Sequence, residues 1–198
     1  AGPRILEYTS RTTGWKKNLR LTMPIRKSSL NDTKGQMVCK TVVLPVKTKI
    51  RGPAPSCPSE TVDIVDEAIK YFRCNVLHKT FPQPGPADLT LCYLTIYIGE
   101  ILRFLKSVQT KVEAKKKITQ LSHETNFTIP GEDNFCLPGF FGAPAKRSDA
   151  DIFRSYYRQL REELAERLLK ELYTDKGDQN KWWFQFHKKS FMGIDKAT

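Results

Sequence analysis

Residues 89–105 read LTLCYLTIYIGEILRFL. Twelve of these seventeen residues are apolar or aromatic, so no strong polar face remains. At 100° per residue, Leu91, Leu94, Ile98, Ile101, Leu102 and Leu105 fill one side. Leu89, Tyr93, Ile96, Tyr97 and Phe104 fill much of the other. A helix apolar nearly all round belongs in an interior. Pro86 and Asp88 stand where a helix start accepts them. A membrane span needs about 20 apolar residues and few charges, whereas this run is shorter and carries Glu100 and Arg103. As a buried strand it is too long. Cys92, Thr95 and Gly99 form a stripe of small residues along which another helix could approach closely. The expected fold is all-α, with about five helices and one central helix surrounded by the others.

Working outward, a helix begins near Val62, with Asp63, Asp66 and Glu67 at its start, where negative charge is favoured. Its apolar residues Ile64 or Val65, Ile69, Phe72 and Val76 return at helical spacing, and it ends by Phe81-Pro82. On the other side, residues 111–122 make a shorter helix whose Lys115, Lys116 and Lys117 read as a solvated face. The long loop 125–147 should pack on the body through Phe127, Ile129, Phe135, Phe140 and Phe141. Ser148 with Asp151 resembles a capping box opening a helix to about Tyr173. Phe153, Tyr156, Tyr157, Leu160, Leu164, Leu168 and Leu172 form its core stripe. Residues 180–192 read NKWWFQFHKKSFM. As a helix they spread Trp182, Trp183, Phe184, Phe186 and Phe191 over a broad arc, with Lys181, Lys188 and Lys189 on the rest. Such a helix either buries its rings or presents them to a partner.

The N-terminal part differs. Residues 1–22 carry five basic residues against Glu7 and lack an apolar signal core. They are expected to be a poorly ordered extension, with Met23 as a natural start. Residues 23–198 form one domain: an extended arm over 23–60 and a helical body over 61–192. Pro45 disfavours a central strand among Val42, Val43, Leu44 and Val46, so 41–50 reads as extended chain packed on the helices.

The chain has 33 Lys and Arg against 21 Asp and Glu, a net charge of +12. That balance favours acidic partners such as nucleic acid, anionic lipid or acidic protein. The five cysteines are scattered without a CxxC pair and fit a reduced, cytosolic protein. No GxxxxGK or GxGxxG loop occurs. His78, His123 and His187 lie far apart, without metal spacing. No catalytic residue, cofactor or metal ligand is nominated, and no enzyme is expected. Basic-aromatic interleaving over 181–191 supports an alternative, a nucleic-acid-binding or adaptor protein using a Lys/Trp-rich C-terminal helix.

An ordered set of segments carries a resemblance. It runs through Met23-Pro24, Ser28-Ser29-Leu30, Leu44-Pro45-Val46, Gly52-Pro53-Ala54-Pro55 and the stretch DIVDEAI at 63–69. It continues with Tyr71-Phe72, Ala87-Asp88, Thr125-Asn126-Phe127, Ile129-Pro130-Gly131-Glu132, Gln159-Leu160-Arg161 and Lys181-Trp182-Trp183. Together these resemble the subunit 3 family of the actin-related protein 2/3 complex, over about 23–192. The chain departs from the family at Arg26-Lys27, where Tyr-His is usual. The resemblance implies an all-helical, non-catalytic subunit of a seven-member assembly that nucleates branched actin filaments on existing ones after activation by nucleation-promoting factors. It implies as partners the other subunits, chiefly the actin-related protein 3 subunit, and the actin filament at the branch. Neither nucleic acid nor a membrane span is implied. The implied location is the cytoplasm and the actin cytoskeleton of cell projections. Two contact regions are expected: Lys181, Trp182, Trp183, Lys188 and Lys189 near the C-terminus, and Arg51 and Pro53 in the arm.

Overall fold

A computed structural model describes residues 24–197. The expectations for 1–22 and for a start at Met23 lie outside the described residues. Among the described residues, five helices follow a small ribbon: β1 (Met37–Val38), β2 (Thr41–Val42), α1 (Ile64–Asn75), α2 (Pro86–Phe104), α3 (Lys111–Ser122), α4 (Arg147–Leu172) and α5 (Lys181–Phe184). The chain is therefore mainly helical, and the strictly all-α expectation is corrected by the antiparallel pair β1–β2. Its tight turn holds Cys39 and Lys40 at φ 51° and 68°. Two successive left-handed residues match the twist of a two-residue hairpin. Gly142 N–H donates to the Cys39 carbonyl and pins the turn to the body.

Every α2 residue from Ala87 to Leu102 is buried. Helices α1 and α4 and strand β2 pack on it, and α3 packs on α4. The small-residue stripe does not serve as expected at Gly99, where Arg103's own guanidinium covers the position at 3.4 Å. Helix α1 is capped by Asp63, which accepts from Val65 N and Asp66 N. It stops at Asn75, well before Phe81, where His78 N–H turns back to the Asn75 carbonyl at 2.9 Å and tightens the last turn. Helix α4 starts one residue before Ser148. Asp149, not Asp151, accepts from the preceding backbone at Lys146. The predicted α4 core stripe is buried throughout, as are Phe127, Ile129, Phe135 and Phe141 of the long loop, with Phe140 half-buried.

The arm is held by polar anchors at three places. Near its start, Ser28 N–H donates to Asp88 and both Ser28 and Ser29 hydroxyls donate to Glu67. Asn75 binds the Arg26 backbone through both ends of its carboxamide, so the side chain at 26 is not used there. In the middle, Leu44 N–H donates to the Tyr156 hydroxyl at 3.1 Å. Farther on, Arg167 gathers Asp63, Asp66, Glu163 and the Lys47 carbonyl around one guanidinium.

The candidate protein interface

The C-terminal candidate region is not one helix over 180–192. Only Lys181–Phe184 is α-helical. Beyond it, Phe186 N–H, His187 N–H and Lys189 N–H each bond three residues back. Apart from Trp182, the rings of this segment turn inward. Trp183 stacks on Phe72 with centroids 5.6 Å apart, and Phe186 meets the same ring edge-on at 6.1 Å. Phe184 packs against Tyr173, and Phe191 against Phe81. Trp183 and Phe186, three residues apart, share the face that meets Phe72. Met192 N–H then bonds His78, and Ala197 N–H reaches Glu100 on α2. The segment is a belt across α1 and α2, fastened by its own rings.

Burial therefore separates two neighbouring tryptophans. Trp183 is 3% exposed and belongs to the core, with the Arg73 guanidinium over its ring at 5.6 Å. Trp182 is 71% exposed. Lys181, Lys188 and Lys189 are exposed around the same short segment. The Lys189 carbonyl is tied to Arg103 at 3.1 Å, so the backbone that carries the lysine pair is fixed on α2. The arrangement is a single large aromatic plate on a rigid basic surface. It offers one ring for stacking, not the aromatic arc of a continuous helix.

Arg51 and Pro53 stand elsewhere. Arg51 is exposed and Pro53 half-buried. Their loop is clamped on α4 by Gln159, whose Nε2 donates to the Ile50 carbonyl at 2.8 Å and whose Oε1 accepts from Ala54 N–H at 2.9 Å. A Cβ at Gly52 would lie 2.2 Å from Gln159 Oε1 and push the clamp aside. A cleft of about 450 Å³ opens beside it, lined by Arg51, Ser155, Arg158 and Glu162 among others. From Gln159 to Leu172, where Asn180 N–H anchors the belt, α4 rises about 20 Å. The two predicted regions are thus separate patches.

Sequence reasoning missed buried polar side chains, among them Gln159, which clamps the arm patch. Gln159 and Arg161 are buried, although they fall within the segment Gln159-Leu160-Arg161 that carries part of the resemblance. Among the described residues, no group of three or more His, Cys, Asp or Glu side chains could hold a metal ion, and no helix is long and apolar enough to cross a membrane.

Comparison with known proteins agrees over most of the chain. Residues 23–196 match the family described as P21-Arc, the ARP2/3 complex ARPC3 (21 kDa) subunit. A relative from Arabidopsis thaliana named actin-related protein 2/3 complex subunit 3 is 42% identical over 168 residues, covering 84% of this chain and 96% of the relative. Proteins of the same name from Schizosaccharomyces pombe and Dictyostelium discoideum are 42% and 39% identical, over 76% and 83% of this chain and 86% and 95% of their own lengths. The buried apolar helix, the clamped GPAP loop and the Trp-Trp belt are those of a chain that belongs to the 21 kDa subunit family of the ARP2/3 complex.

Proposed function

We propose that this chain is a non-catalytic structural subunit of the actin-related protein 2/3 complex, with the actin-related protein 3 subunit as its chief neighbour and the actin filament at the branch as a further contact. The reading places its work in the cytoplasm, at the actin cytoskeleton. The observation that carries the binding role is Trp182, 71% exposed beside the core-buried Trp183. Leaving an indole in water forgoes burial worth roughly 2–3 kcal/mol. Trp is enriched among the residues that dominate protein interfaces. Lys181, Lys188 and Lys189 surround it with positive charge, suited to an acidic protein surface and to guiding its approach. The Trp182 N–H is bonded to the Asn180 side chain, so little backbone freedom is lost when the ring binds.

The test is recovery of the complex by affinity purification through this subunit. The expected result is six co-purifying subunits, two of them actin-like. Trp182→Ala should keep the thermal midpoint and weaken association by about 2 kcal/mol, roughly thirtyfold. Unchanged association of Trp182→Ala would remove this plate from the interface. Salt-sensitive recovery of nucleic acid in place of protein subunits would replace the reading altogether.

A further inference from the structure

The start of the arm carries a pattern that the assembly role does not use. Residues 26–30 read Arg26-Lys27-Ser28-Ser29-Leu30. Basic residues three and two positions before a serine, with an apolar residue after it, suit the acidic substrate groove of a basophilic protein kinase. The structure separates the two serines. Ser28 is buried, whereas Ser29 is exposed, as are Arg26 and Lys27. Ser29 is also the serine with Arg at −3 and Lys at −2. Sequence spacing and exposure select the same residue independently.

The surroundings of Ser29 would convert a phosphate into a conformational change. Glu67 is 1% exposed and accepts three bonds from the arm: Ser28 Oγ at 2.5 Å, Ser29 Oγ at 2.6 Å and Ser29 N at 3.0 Å. Two residues on, the Asn31 carboxamide oxygen accepts from Ala87 N and Asp88 N, the first free amides of α2. This short segment therefore caps the central helix while fastening itself to α1. We infer that Ser29 is a phosphorylation site for a basophilic serine kinase, and that phosphate on it unfastens the arm from Glu67 and uncaps α2.

In the modifying step, Ser29 Oγ attacks the terminal phosphoryl group of a nucleoside triphosphate. The bond from that phosphorus to the diphosphate leaving group breaks, the hydroxyl proton passes to the kinase's base, and nucleoside diphosphate departs. The product removes a donor from Glu67 and adds a charge of about −1.5 to −2. Placed against buried acceptors with Asp88 close behind, it disrupts by like-charge repulsion. The other two anchors, at Leu44 and at Arg167, lie elsewhere and stay closed.

The experiment treats the full chain with ATP and a kinase selecting Arg at −3, such as the catalytic subunit of the cyclic-AMP-dependent kinase. Fragment mass spectrometry should place one phosphate on Ser29. Ser29→Ala should abolish it with an unchanged circular dichroism spectrum, and Ser28→Ala should retain it. Arg26→Ala should slow it by about tenfold or more, the scale of one charge-assisted hydrogen bond. Hydrogen exchange should then speed up over 26–31 and at Ala87 and Asp88, with 41–46 unchanged. Phosphate on Ser28, none on either serine, or phospho-Ser29 with unchanged exchange would each overturn the inference.

Discussion

Two arginines six residues apart on α4 are handled in opposite ways. Arg161 is fully buried and lies between rings, with the Tyr97 centroid at 4.5 Å and the Phe127 centroid at 4.8 Å. The Tyr97 hydroxyl lies within the electrostatic reach of a hydrogen bond to this guanidinium, although no bond of ordinary geometry joins its three nitrogens to a described residue. Burial pushes the Tyr97 hydroxyl up to about 12 and Tyr93 higher still, so both stay neutral and supply no counter-ion. Glu100 contributes an attractive charge to Arg161. Arg167, with 15% of its side chain exposed, instead donates to Asp63 twice, to Asp66 and to Glu163, at 2.7–2.9 Å, and to the Lys47 carbonyl. The first region uses an arginine as a flat packing piece. The second uses one as a rivet through the arm, α1 and α4. A buried cation is tolerable by either route, but the second ties three neighbouring carboxylates to it by direct hydrogen bonds.

The sharpest way to test this contrast is Arg167→Met. Asp63 is 1% exposed and would keep its helix-capping amides while losing its guanidinium, and Glu163 would be stranded beside it. Leaving buried carboxylates unpaired costs roughly 3–5 kcal/mol. Urea unfolding should show a loss of that size, and a loss below about 1 kcal/mol would mean that solvent already supports Asp63 and Glu163.

Arg161→Met should do far less. It keeps an unbranched stem against Tyr97 and Phe127, gives up cation–π attraction worth about 2 kcal/mol, and relieves the desolvation of a charge. The expected net change in urea unfolding is within about 1 kcal/mol of the parent. A loss of several kcal/mol would show that Arg161 bridges to its neighbours in the way Arg167 does, and the contrast would fail.

These differences also explain what could be read from the sequence. The α2 run was decisive because no face of it is polar, and burial from Ala87 to Leu102 follows directly. The α4 stripe emerged for the same reason. Arg161 did not, because periodicity assigns a guanidinium to water unless something shows a ring waiting on each side. The β1–β2 turn was hidden because Cys39-Lys40 lacks the Asn or Gly that normally announces two left-handed residues. In the candidate interface, Lys181, Lys188 and Lys189 were readable as surface. The adjacent Trp182 and Trp183 were not separable, since Phe72 decides which indole turns inward. The C-terminal helix expected over 180–192 is α-helical for four residues, Lys181–Phe184.

The smallest effect concerns the acid limb of stability. At Asp66, burial works to raise the carboxyl, but the Lys47 ammonium, the Asp63 backbone N–H and the Arg167 charge outweigh it and hold it below the usual carboxylate range. A depressed folded value means that the group stabilises fully above its unfolded value near 3.9 and loses that contribution as pH falls through the folded value. Asp66 keeps 30% of its side chain exposed, so solvent screens much of the interaction. Lys47→Met should therefore lower stability only slightly at neutral pH, well short of Arg167→Met, and flatten its decline below pH about 4. Urea midpoints from pH 3 to 7, with the Asp66 carboxyl followed by NMR, measure both. Arg161→Met should shift that limb less than Lys47→Met does, since no carboxylate among the described residues hydrogen-bonds to Arg161. An acid limb that shifts in Arg161→Met and not in Lys47→Met would place the titrating charges around the rings of α2, with the rivet at Arg167 relegated to packing.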